Sequence, residues 1–189
     1  HGYKSRQLCE QFFKENPNLK LIGLGEVLNA IEHHDDKSLK STKDFETRPH
    51  TVELLPLISA ADDLDAFGLV GVYRYWEIYS LRGVPRNDIP QKVIVNLNNR
   101  FQNFKVSFSY LENFVKQQEC RYLQTANFYI ELMNSEDNNN HTNKITELFD
   151  NLLINQRFTI VKLIQYVLEG ECDQVVKTYF LGLRDELDR

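Results

Sequence analysis

Long stretches of Leu, Phe, Tyr, Glu, Lys and Gln run through this chain without any sustained alternation of apolar and polar residues. A half-buried strand needs a period of two, so its absence leaves helices as the elements that fit, and the sequence predicts an all-α fold. Asn16-Pro17-Asn18, Gly83-Val84-Pro85 and the polar run from Ser135 to Asn140 are the clear breaks. Between them, helices are expected over about 3–14, 21–32, 52–81, 89–102 and 105–133, then over 143–153, 157–168 and 172–187. The polar segment from Asp35 to His50, with Arg48-Pro49, reads as a loop. On the first helix, Leu8, Phe12 and Phe13 fall on one side.

A chain of 189 residues can bury one large core. The expected organisation is a helical domain over 1–135 and a helical extension over 141–189 that packs back on it or on another subunit. Leu148, Leu152, Val161, Ile164, Val167, Val176, Phe180 and Leu183 form the apolar faces of that extension. No apolar run approaches the roughly 20 residues of a membrane span, so no membrane partner is expected. A net charge of −5 argues against a general grip on nucleic acid, which leaves only a local basic patch for such a partner. Cys9, Cys120 and Cys172 are far apart and form no CxxC pair, which excludes a zinc knuckle or thioredoxin motif. Free thiols in a reducing cytoplasm, each buried in the core, are the expectation.

Chemistry concentrates in two places. The run Ala61-Asp62-Asp63-Leu64-Asp65-Ala66 lies inside the expected 52–81 helix, with Leu57, Ile58, Ala60 and Ala61 before it and apolar residues after it. Ionised carboxylates on a buried helix face need a partner that replaces water, and a metal ion is the strongest. His33-His34 ends an upstream helix, either as a cap suited to the negative end of the dipole or as a source of nitrogen ligands. Ala66, Gly68 and Gly71 thin the long helix and let another backbone approach. On a continuous helix Asp63 and Arg74 share a face about 16 Å apart, too far for an ion pair. Arg74 is then available to another helix or to a phosphate, which its planar fork suits. Tyr73, Tyr75, Trp76 and Tyr79 form a stripe that serves either a core or the stacking of a base.

Three segments together resemble an HD-domain phosphohydrolase: His1-Gly2-Tyr3-Lys4-Ser5, Ile31-Glu32-His33-His34, and Ala61 through Arg74, reading ADDLDAFGLVGVYR. The resemblance covers about residues 1–82 and extends loosely to about 135, with the last segment its most specific part. It implies an HD-like helical bundle and hydrolysis of phosphate esters or anhydrides by a metal-bound water. Asp62 matches the late metal-ligating aspartate, and His1, His33 and His34 match accessory ligand positions. Lys4 and Arg74 fall where such proteins place phosphate-facing cations, and Asp63 and Asp65 where a group can orient the water or a ligand.

The implied cofactor is a divalent metal, Mn, Mg, Fe, Ni or Zn, which lowers the pKa of bound water to near 7 and neutralises phosphoryl charge. The implied partner is a phosphorylated small molecule of the nucleotide class, in a cytoplasmic protein that is a monomer or a homodimer. The family's first His and its His-Asp pair have no counterpart in place, and His33-His34-Asp35 comes too late to be that pair. They are expected upstream of His1, since the chain does not begin with Met. The alternatives are an inactive HD-like module that binds a nucleotide or a protein, and a purely structural helical module.

Overall fold

The computed structural model describes residues 2–34, 54–135 and 140–188. Among them the chain is all-α, with no strand. The expected loop at 35–50 and His1 lie outside the described residues.

Helices α1 (Gly2–Glu15) and α2 (Leu24–His33) form an antiparallel hairpin, fastened by an ion pair between Arg6 and Glu32. Asn16 ends α1 by donating from Nδ2 to the Phe12 carbonyl, 2.8 Å. The apolar side expected on α1 does not enter the core: Leu8 and Phe12 are exposed and Phe13 is half-buried. In contrast α2 buries Leu28 and Ala30 and packs on α3.

The expected long helix over 52–81 is two helices, α3 (Leu54–Leu64) and α4 (Gly68–Leu81). At the end of α3 the bonds shorten to i→i+3, from Ala66 N–H to the Asp63 carbonyl and from Phe67 N–H to the Leu64 carbonyl. Phe67 then takes an extended conformation and Gly68 a left-handed one, φ +79°. The turn drives the Phe67 ring into the core, fully buried and edge-on to Phe101, Phe104 and Tyr122. Burying a phenylalanine side chain contributes about 2–3 kcal/mol, which offsets the helical hydrogen bonds given up.

A break exposes backbone groups that must find other partners. Arg121 donates from Nη2 to the Phe67 carbonyl at 2.9 Å, and Thr125 from Oγ1 to the Gly68 carbonyl at 2.8 Å. Glu186 accepts from the Leu69 N–H at 2.7 Å and from Arg121 at 2.5 Å. The thin stretch was expected to admit another helix backbone, but it is side chains, Thr125 at Gly71 and Glu186 at Gly68, that come close. A Cβ on Gly71 would meet both the Thr125 hydroxyl and the Ala66 carbonyl.

After a short 3-10 turn at Arg86–Asp88, α5 (Ile89–Ser107) starts with Pro90 in its first turn, where no N–H is required. It pairs with α6 (Glu112–Asn134). Asn140, Thr159 and Asp173 cap α7 (His141–Leu148), α8 (Ile160–Glu169) and α9 (Gln174–Leu187), each accepting a backbone N–H. A π-helical turn, Phe149–Asn155, continues α7 and replaces the last part of the helix expected over 143–153. Its Asp150 accepts from Trp76 Nε1 at 2.8 Å and pairs with Arg86.

One continuous apolar cluster joins Val72, Tyr73 and Trp76 of α4 to Leu97 and Phe101 of α5, Tyr129 of α6, and Phe149, Leu163, Phe180 and Leu183. The tyrosine and tryptophan stripe on α4 is therefore core at Tyr73, Tyr75 and Trp76, and Tyr79 packs against it. Burial pushes the phenol pKa of Tyr75 and Tyr129 up. Most of the apolar face expected on the last helices is buried, but Leu148 is half-buried and Val161 is exposed. The cysteines are free, as expected, but none is buried: Cys9 and Cys172 are half-buried and Cys120 is exposed. Cys9 and Cys120 lie on α1 and α6, and Cys172 lies between α8 and α9. Among the described residues no helix is long and apolar enough to cross a membrane.

Gly68 and Gly83 both hold positive φ, but only at Gly68 is the space filled, by the Glu186 carboxylate. Gly83→Ala should cost about 1–2 kcal/mol for the left-handed backbone. Gly68→Ala should cost about 2 kcal/mol more, because it also displaces a charged hydrogen bond. Urea unfolding of the two variants measures the difference, and equal losses would show that Glu186 does not seal the break.

Candidate functional site

The break places Asp62 and Asp63 in the last turn of α3, not in the interior of a longer helix. That end of a helix carries partial negative charge and disfavours carboxylates, so the acids need a cation more than a mid-helix position would demand. Arg100 of α5 supplies it. Its Nη1 donates to Asp62 Oδ2 at 2.7 Å, to Asp63 Oδ1 at 3.1 Å and to the Asp62 carbonyl at 3.1 Å. Asp63 is 3% exposed, while the Asp62 side chain is 37% exposed and faces solvent on its other side. Burial draws the guanidinium pKa down, but Asp62, Tyr75 and Asp63 together outweigh it and hold the group more firmly charged.

Arg100 is itself held. Its Nε donates to Asn96 Oδ1 at 3.0 Å, and the same oxygen accepts from the Tyr75 hydroxyl at 3.0 Å. The chain Tyr75–Asn96–Arg100 thus connects the core helix α4 to the acids at the end of α3. Neither Asn96 nor Arg100 stood out in the sequence. The available signal was their spacing: they lie one turn apart beside the buried stripe Val93, Leu97 and Phe101. A charged residue in that register has to face a partner.

Asp65 lies past the end of α3 and is exposed; Arg74 Nε reaches its Oδ2 at 3.3 Å. A straight helix would hold these residues apart, and the turn at Phe67–Gly68 brings them together. Arg74 is therefore paired at the surface and not committed to another helix. Lys4 is exposed on α1.

His33 and His34 end α2, and the His34 ring folds back so that Nδ1 lies 2.7 Å from the Ile31 carbonyl. A carbonyl only accepts, so Nδ1 carries the proton there, and a neutral ring then has its lone pair on Nε2. This geometry serves a helix cap and is also the form a metal ligand takes. Ser59 of α3, one turn before Asp62, donates to the His34 carbonyl at 3.1 Å and ties the histidine-bearing end of α2 to the acid-bearing helix.

The chemistry of these donors fits a divalent cation in part. Asp62 presents one half-exposed carboxylate, and α2 brings imidazoles to the neighbouring helix. Among the described residues, however, no three His, Cys, Asp or Glu side chains gather around one point. A complete ligand set therefore needs residues outside the described ones. Two hollows lie away from the acids, one of about 480 Å³ between α8 and α9 and one of about 380 Å³ beside Trp76 and Arg86.

Compared with protein-family models, curated proteins and solved structures, the chain has no match.

The two arginine pairs should differ in what they contribute to stability. Arg74→Met should cost at most about 1 kcal/mol, as for exposed pairs. Arg100→Met should cost about 2–4 kcal/mol, because it leaves the buried Asp63 without its cation. Thermal or denaturant melts of both variants test this, and equal effects would refute the assignment of Arg100 as the counter-ion.

Proposed function

We propose that this chain belongs to a metal-dependent phosphohydrolase of the HD type, acting on a nucleotide or a related phosphate ester or anhydride. The observation that carries the reading is the Ser59–His34 hydrogen bond, which ties the segment Ile31–His34 of the resemblance to the helix on which its Ala61–Arg74 segment begins. In this reading Asp62 supplies one carboxylate ligand and His33 or His34 a nitrogen, with further ligands from residues outside the described ones. His1 is one candidate among those. When bound, the metal would activate water and neutralise phosphoryl charge. Lys4 and Arg74 carry charge suited to phosphate, and Arg74 would exchange Asp65 for it. Asp63, held by Arg100, serves the site by position and not by contact with substrate.

A second reading has its own support. Arg100 already pairs with both Asp62 and Asp63, which suits an inactive module that binds a nucleotide or a protein. Metal analysis and a phosphohydrolase screen on nucleotides separate the two readings. The first predicts bound divalent metal and hydrolysis, both reduced at least about tenfold in Asp62→Ala. Nucleotide binding with no metal and no turnover would establish the second. Metal content and turnover both unchanged in Asp62→Ala would remove the first.

A further inference from the structure

We infer that this chain binds a second copy of itself head to tail, the exposed flank of α1 seating in the hollow between α8 and α9. That hollow, about 480 Å³, is walled by Val161, Leu168 and Leu187, with the buried Ile164 as its floor. Val161 is 68% exposed and Leu187 42%, so the two helices present an apolar groove that no described residue fills. The first helix has the converse shape. Leu8 and Phe12 stand one turn apart on one flank, both exposed, while Gly2 and Arg6 fasten another flank to α2. A helix with apolar anchors at i and i+4 is what such a groove takes.

Charge selects the occupant. Around the exposed flank of α1, Arg6 is held by Glu32 and Lys14 by Glu10, which leaves Lys4 and Lys20 against Glu15. The groove has the opposite sign: Arg184 has Asp185 beside it, and Glu169 and Asp188 complete the rim. In a chain of net charge −5 most approaches between two copies are repelled, and groove against groove would set two acidic rims together. Docking α1 on α8 and α9 brings unlike charges together and covers both apolar surfaces at once. Because the two surfaces differ, each pair of copies keeps one of each open. Association therefore continues beyond a dimer unless the rotation between copies closes a ring.

Sedimentation velocity of the purified chain over a range of concentrations tests this. The wild type should gain mass with concentration, through dimers to larger species or a closed ring. Phe12→Gln removes an anchor from one surface and Val161→Asp places a charge in the other. Each should weaken self-association at least about tenfold. Both side chains are exposed, and aspartate suits the first turn of α8, so the variants should keep the fold. Leu8→Gln stands in should Phe12→Gln fail to fold. An equimolar mixture of the two variants retains one intact surface of each kind, so it should form a dimer of one copy of each and go no further. A symmetric interface would not give that result. A wild type that stays monomeric overturns the inference, as does either variant associating like the wild type. A mixture that stays monomeric overturns it too.

Discussion

The ion pair between Arg121 of α6 and Glu186 of α9 holds the position on which the rest of the molecule depends. It closes the gap between α3 and α4, where a carbonyl and an amide would otherwise be buried without partners. Arg121 takes the Phe67 carbonyl and Glu186 takes the Leu69 amide, and each neutralises the other. With the gap closed, Phe67 enters the core, α4 runs through the centre of the molecule, and α3 turns its acidic end toward α5. Without it, an uninterrupted helix over this segment would be the simpler fold, and Phe67 could not occupy its buried site. Two helices distant in sequence, α6 and α9, thus converge on the backbone of Phe67, Gly68 and Leu69.

That arrangement explains how three aspartates in a short run come to have separate tasks. The turn separates Asp65 from the other two and gives it Arg74 at the surface. Asp63 points inward and needs the buried Arg100. Asp62 lies between these environments, held on one oxygen and open on the other. Of the three, Asp62 alone is both paired with Arg100 and partly open to solvent. The last helix shapes this region from a distance: α9 contributes Glu186 to the turn that follows the acids.

What the sequence made legible follows from what is local. Apolar periodicity places α2, α8 and α9 to within about three residues, whereas the break between α5 and α6 falls later than expected, after Ser107 and not after 102; the all-α class rests on the same periodicity. The interruption at Phe67–Gly68 was not legible, because ADDLDAFGLVGVYR keeps a helical pattern on both sides of a glycine whose positive φ leaves no mark in composition. Arg100 lies 38 residues from Asp62, and Glu186 lies 117 residues from Leu69, so neither partner could be read from spacing. Exposed Leu8 and Phe12 show the converse, since an amphipathic pattern predicts a face but not that anything covers it. The His33-His34 pair was visible as a helix end. Its link to Ser59 needed the fold.

The most direct measurement of the central claim is native-state hydrogen exchange at the amides of residues 66–72, comparing the wild type with Glu186→Gln. If Arg121 and Glu186 seal the break, the variant loses protection at Leu69 and its neighbours, while amides in the middle of α5 keep theirs. Unchanged exchange at Leu69 and its neighbours would contradict the account, because it would show that the turn holds without the ion pair.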